Sequence, residues 1–515
     1  MGAAALAEAA GLGSTLEREQ PDRTSKAHTE ASRFFMQGPS ATRNTQARVR
    51  ASPSHVEPTV PMRIHKALPL VLLLLPACEK TAPASASASA SASASASASA
   101  PAPASASASA SVSASVPASL ALALQKPPGS SLVDREIEVL ERRLEKNPEP
   151  LDPWILLGRA WVRKAREAVD PGFFLNASAC ADIAIGREPK NRPARNLRAM
   201  VLLENHAFAD ALDLAEQILL DDAEDLSALG TKSDASLELG LFDQALTSGQ
   251  KMVDLKPNLP SYARAAHLRW LQGDSKAAKT IYRSAMDAHD PREPEPYAWV
   301  LTQAAMIFWY EGDIEGAEKG FERALSAFPD APYAMVGQAR VALAKGDAKR
   351  AAEFATASYQ KMPLCETAWL LGDAKTAMGD AAGAKEAFGW VVKQGRAMDK
   401  RCLASFYAST NQEPDEALSL ARGESLIRKD IYTRDVLAWA LYRKKDFAAA
   451  KAESDAALAH GTKEPLLLFH AGAIRLAMGE KAAGEKLLRE ALKMNPAFDQ
   501  TAVNEAKTLL GGGAR

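Results

Sequence analysis

Residues 368–388 read AWLLGDAKTAMGDAAGAKEAF, and this stretch decides the fold. Apolar residues fall at helical spacing on both sides of Gly379-Asp380, where glycine supplies the left-handed conformation that ends one helix before the next begins. Working outward from Ala384, an alanine recurs at Ala177, Ala211, Ala245, Ala278, Ala317, Ala351, Ala417 and Ala450, and Gly484 is a tenth member. Taken in order, the gaps are 34, 34, 33, 39, 34, 33, 33, 33 and 34 residues, the period of stacked helix pairs and not of a compact globule.

Other positions keep the same register. Twelve residues before the markers lie small residues, Ala199, Ser233, Ala266, Ala305, Ala339, Gly372, Ser405, Ala438 and Gly472. Five before several of them come the turn pairs Gly273-Asp274, Gly312-Asp313, Gly346-Asp347, Gly379-Asp380 and Gly479-Glu480. Seven after are Ala184, Ala285, Ala324, Ala457 and Ala491, and twelve after are the helix stops Pro189, Pro257, Pro329, Pro363 and Pro496. Each unit is therefore a helix, a tight turn, a second antiparallel helix and a proline-marked exit. Small residues sit where the two helices cross, and larger ones such as Tyr282, Phe321, Leu371 and Phe388 fill the space between units.

In these residues, and again in Leu437-Ala438-Trp439-Ala440-Leu441-Tyr442 through Asp446-Phe447 to Ala450 and Ala457, the chain resembles the tetratricopeptide repeat family. The resemblance implies an all-α fold, a right-handed α-solenoid of about ten helix pairs over residues 131–497, closed by a capping helix at 498–510. Two places depart from the period: extra residues near Asp170-Pro171-Gly172, and a proline-rich joint between units, Asp290-Pro291-Arg292-Glu293-Pro294-Glu295-Pro296.

Upstream, Met62-Arg63-Ile64-His65-Lys66 is basic, Ala67 to Leu75 is apolar, and Leu75-Pro76-Ala77-Cys78 closes the run. This is the plan of a secretory signal over 62–77, too short to span a bilayer, and it looks like a bacterial lipoprotein signal that leaves Cys78 as the lipidated terminus. Residues 1–61 are expected to be a disordered extension or a mis-assigned start, with translation beginning at Met62. From 78 to 128 the Ser/Ala/Pro-rich composition predicts an unstructured tether, whose forty or so most repetitive residues reach roughly 35 Å.

With 62 basic and 63 acidic residues the net charge is −1, which gives no field to attract nucleic acid. Of four cysteines, Cys78 is assigned to lipid; Cys180, Cys365 and Cys402 remain and are expected as buried free thiols, although Cys365 and Cys402 fall on neighbouring units. Histidines are scattered without metal-ligand spacing, and no nucleophile elbow, zinc-protease helix or phosphate loop is present, so no cofactor, metal or catalysis is expected.

What remains is the inner surface. In the family the first helix of each unit lines a concave groove, and the resemblance places Trp270, Trp299, Trp309, Tyr310, Tyr333, Trp369, Phe406, Tyr432, Trp439, Tyr442 and Phe469 on it, including five of the eight tryptophans. Rigid rings on a groove wall supply contact area at little entropic cost, so the stripe reads as a partner-binding surface. The Lys and Asn clamp with which family members grip C-terminal carboxylates is replaced by Asn196 and Met200, Gly230 and Asp234, and Ala263 and His267. Arg340 and Arg443 are the strong cations of the central groove, which favours an extended or helical apolar segment as ligand. The expectation is a membrane-anchored protein-interaction scaffold of the cell envelope, probing other envelope proteins from the outer membrane, facing the periplasm. The chain looks like the repeat-containing lipoproteins that assist pilus or outer-membrane protein assembly; a glycan- or peptidoglycan-binding lipoprotein is the alternative.

Overall fold

The structure is a computed structural model, and it describes residues 116–168 and 170–511. The signal segment, Cys78 and the tether as far as residue 115 lie outside the described residues. Twenty-three helices and no strand occur among the described residues. They fall into two compact units that divide between Asn191 and Arg192.

The first unit holds α1 (Val116–Ala123), α2 (Leu132–Lys146), and the pair α3 (Leu151–Ala168) and α4 (Phe173–Arg187). Helix α1 lies inside the range expected as tether. The alternating Ser-Ala pattern gives way there to Leu120, Leu122 and Leu124 among alanines, strong helix formers that can also supply an apolar face. Its end is tied into the unit: Trp161 Nε1 donates to the Ala123 carbonyl at 3.0 Å, and Asn176 Nδ2 donates to that of Leu122 at 2.7 Å. A buried ion pair, Lys164 to Asp134 at 2.7 Å, fastens α3 to α2. The marker Ala177 and the thiol of Cys180 are buried, and burial pushes that thiol well above its usual range.

The second unit is a file of nine pairs. They are α5 (Arg192–Glu204) with α6 (Phe208–Asp221), α7 (Leu226–Glu238) with α8 (Phe242–Leu255), and α9 (Leu259–Leu271) with α10 (Ser275–Asp287). Next come α11 (Pro294–Tyr310) with α12 (Ile314–Ala327), α13 (Pro332–Ala344) with α14 (Ala348–Lys361), and α15 (Cys365–Ala377) with α16 (Ala381–Ala397). The last are α17 (Lys400–Thr410) with α18 (Pro414–Ile427), α19 (Ile431–Arg443) with α20 (Phe447–Ala457), and α21 (Pro465–Ala477) with α22 (Lys481–Met494), followed by α23 (Gln500–Leu509).

Each marker sits on a second helix and is buried at the crossing. The Gly-Asp turn works as its letters imply. Gly273, Gly312, Gly346 and Gly379 take φ of 75 to 79°. The following aspartate caps the second helix, as when Asp274 accepts the Ala277 N–H at 2.9 Å and Asp313 accepts that of Gly316 at 2.9 Å. The proline-rich joint is only half a joint. Pro294-Glu295-Pro296 forms the first turn of α11, making that helix 17 residues long, because a first-turn proline loses no helical hydrogen bond.

Candidate functional site: the inner face and the seam across it

The inner face is built from the first helices, and what covers it determines what it can bind. The second unit returns on itself. Ends of the first helices α7, α9 and α11 meet ends of the second helices α18, α20 and α22, which lie about five pairs later in sequence. The Lys429 N–H donates to the Glu238 carbonyl at 2.7 Å, Thr462 Oγ1 to that of Leu271 at 2.6 Å, and Asn495 Nδ2 to that of Trp309 at 2.6 Å. The rings of Phe242 and His460 stack with centroids 4.0 Å apart.

This seam requires bare backbone. A Cβ on Gly273 would collide with the carbonyl oxygen of Gly461, one on Gly312 with that of Met494, and one on Gly240 would lie 2.9 Å from that of Lys429. The apolar core is continuous across the seam: Phe242, Trp270, Tyr310 and Val341 share one buried cluster with Ile431 and Leu467.

The expected groove stripe is therefore divided. Trp270, Trp309, Tyr310, Phe406, Trp439 and Phe469 are only 1 to 4 % exposed, so these residues are core and not groove wall. Two physical reasons account for the correction. First helices of successive pairs pack ring on ring, as Trp439 does against His470 at 4.1 Å and Phe469 at 5.3 Å, and Trp270 against Tyr310 at 5.7 Å. The seam then covers Trp270 and Tyr310 from the far side. Trp299, Tyr333, Trp369, Tyr432 and Tyr442 are half-buried.

The expected groove cations are also engaged. Arg340 pairs with Glu366, and Arg443 forks onto Glu505 at 2.9 and 2.8 Å while donating to the Ala408 carbonyl at 2.7 Å. Where a carboxylate clamp would sit, Asp234 is held by Arg264 through bonds of 2.9 and 2.6 Å. Close to the seam, the Glu464 carboxyl is buried near Tyr310, Tyr432, Asp435 and Arg340. Burial pushes that carboxyl up to about 8, helped by nearby Asp435 and opposed by the two phenols and Arg340.

One apolar recess stays open. A cleft of about 560 Å³ runs between α16 and α17, floored by Phe388, Phe406 and Val392, and rimmed by Gly379, Lys385 and Gln412. Its cause is legible in the repeat. Five residues after the marker, the other pairs of this unit carry Glu216, Gln250, Arg283, Glu322, Thr356, Arg422, Asp455 and Arg489, whereas this pair carries Gly389, whose Cβ position faces open space. Toward the other end of the same joint, Cys365 and Cys402 form a disulfide with Cα atoms 6.2 Å apart. Free thiols were expected. The stagger of one repeat plus four residues instead places both cysteines near the starts of adjacent first helices, within bridging reach.

Comparison with known proteins agrees with the architecture. The family model for the tetratricopeptide repeat matches residues 162–225, 197–260 and 302–363. None of the curated proteins matches this chain. Among solved structures it is similar to PilW, a widely conserved type IV pilus biogenesis factor, at 18 % identity over 38 % of this chain and 90 % of that one, with a TM-score of 0.34. It is also similar to a human IFIT1 dimer with PPP-AAAA, at 14 % identity over 74 % and 94 % with a TM-score of 0.41. A tetratricopeptide repeat protein from Parabacteroides merdae matches at 17 % identity over 46 % and 93 %, with a TM-score of 0.34. At these identities and scores the likeness extends to repeated helix pairs and no further.

Proposed function

We propose, on the premise that this chain is a tetratricopeptide repeat protein, that it is an interaction scaffold of the cell envelope, without chemistry of its own, anchored by lipid at Cys78. Tetratricopeptide repeats are protein-binding modules, and the coarse assignment rests on them. The envelope assignment draws support from two independent features. One is the basic, apolar and cysteine-terminated run at 62–78. The other is the Cys365–Cys402 disulfide, a bond that persists in oxidising compartments outside the cytosol.

The single observation that carries the binding mode is the cleft beside Gly389. With Trp270, Trp309 and Trp439 buried, the part of the aromatic surface left to a partner is half-buried Trp369 and the recess that half-buried Phe388 lines, with Phe406 buried beneath both. The partner presents an apolar side chain from an extended or helical segment to that recess. The glycan reading is weakened, because Trp309 offers no ring face to a sugar.

Two measurements test this. In the native host, Cys78→Ser should abolish incorporation of labelled fatty acid and shift the protein from the membrane to the soluble fraction; unchanged labelling sinks the anchor. Gly389→Trp should fill the cleft with Tm unchanged and lose the envelope protein that in-cell crosslinking attaches to the wild type. Equal crosslinking by both forms would remove the cleft as the docking site.

A further inference from the structure

The seam is more than a consequence of curvature. It covers apolar residues that the repeat pattern would leave facing inward, among them Trp270 and Tyr310, and it does so with contacts of an unusual kind. The three hydrogen bonds named above all end on main-chain carbonyls, and backbone packs closely against turn glycines. Beside them it buries polar atoms that make no hydrogen bond: Glu464 Oε2, and Arg428 Nη1 with Glu238 Oε2, an ion pair 3.9 Å apart and so too long to be hydrogen-bonded. Each such atom offsets part of what the apolar contact contributes. Within each pair, by contrast, the two helices meet through a buried small residue, an alanine at eight of the nine crossings and Gly484 at the last.

We infer that the seam is a reversible latch: α18, α20 and α22 part from α7, α9 and α11 while the helix pairs stay folded, baring Trp270, Tyr310, Ile431 and Leu467. The inference concerns the chain's own equilibrium and stands apart from the scaffold reading above. Glu464 fits it, since this carboxyl lies at the seam and faces Tyr310 from α11, Arg340 from α13, and Tyr432 and Asp435 from α19. Opening would rehydrate a group that burial keeps protonated.

Hydrogen exchange of the full chain, followed by mass spectrometry of peptides, tests the latch. In the wild type the peptide containing Lys429 should exchange at least about tenfold faster than the one containing Ala305 from the middle of α11, at denaturant levels well below global unfolding. The pair Thr462→Val with Asn495→Leu removes two seam bonds. It should speed the Lys429 peptide by a further factor of about ten, leave the Ala305 peptide unchanged, and raise iodide quenching of tryptophan fluorescence. Gly346→Ala, at a turn away from the seam, should produce no such selectivity. Wild-type peptides that exchange together, or a seam variant that accelerates both alike, would overturn the latch and make the seam part of one cooperative core.

Discussion

Six helix pairs of the second unit turn on a glycine in the left-handed region, at Gly240, Gly273, Gly312, Gly346, Gly379 and Gly479, with φ between 74 and 81°. At the first three a side chain would strike backbone from across the seam, while at the last three it would meet nothing within 4 Å. The same residue in the same turn thus answers two different demands. At Gly346, Gly379 and Gly479 glycine serves the turn alone. At Gly240, Gly273 and Gly312 it serves the turn and also lets a distant strip of chain lie against it.

The contrast fails if the closure is really held by the covalent joint between α15 and α17. Reducing the Cys365–Cys402 bond, which spans 37 residues, should lower stability by about 4 kcal/mol through the entropy returned to the unfolded chain. The difference between crowded and open turns should survive reduction. Urea unfolding with and without reductant, run on the glycine variants, measures both quantities.

The glycines themselves give the next largest effect. Gly273→Ala combines a left-handed strain of about 1–2 kcal/mol with loss of the close approach to Gly461, for a total of about 3 kcal/mol. Gly346→Ala incurs the strain alone, about 1 kcal/mol. Equal costs in chemical denaturation would mean that the crowding at the seam contributes nothing in solution.

These turns also mark how far the sequence can be read. The helix pairs were legible because a 34-residue period imposes small residues, turn glycines and capping aspartates at fixed places, and each has a local physical cause. The seam was not legible. It joins Leu271 to Thr462 and Trp309 to Asn495 through main-chain carbonyls, which every residue carries and which no side-chain pattern announces. That is why Trp270 and Tyr310 read as groove wall when they are core, whereas Trp439 is covered by ring packing on Phe469 and His470. The cleft lay between these extremes. Gly389 breaks a column of polar side chains five residues after the marker, a signal carried by the repeat itself. Helix α1 and the first turn of α11 show the remaining gap: a few leucines favour helix where the composition reads as tether, and prolines that read as a joint between units instead begin a helix.

A pH series sharpens the comparison from the seam's side. Glu464 has its carboxyl raised to about 8 in the folded chain, against an ordinary value of 4.5. A raised folded value means the stabilising protonated form is fully present below about 4.5 and is lost as pH climbs toward 8. Stability should therefore fall across that window by up to about 1.4 kcal/mol per pH unit from this group. Glu238, pushed up to about 7 chiefly by burial, adds a slope of the same sign. Glu464→Gln should flatten the profile, whereas Gly346→Ala should lower it evenly at every pH. Below pH 6.5 the half-buried His206 and His267, whose values burial lowers, add a slope of the opposite sign, so the test is read above it: a wild-type profile that rises from pH 7 to 8 would contradict the buried, protonated carboxyl.

The smallest effect comes from a pair that lacks the glycine. Lys445 occupies the turn between α19 and α20 at φ 62°, with its side chain exposed and no ion pair to another of the described residues. If an open turn asks only for left-handed backbone, glycine should serve it better than lysine. Lys445→Gly relieves about 1 kcal/mol of strain and gives back part of that through the greater freedom of glycine in the unfolded chain. The net expectation is a gain of about 0.5 kcal/mol, read as a small rise in the urea midpoint with an unchanged m-value. A loss of stability instead would show that the open turns carry side-chain contacts of their own, and the division between crowded and open positions would then need a cause other than the seam.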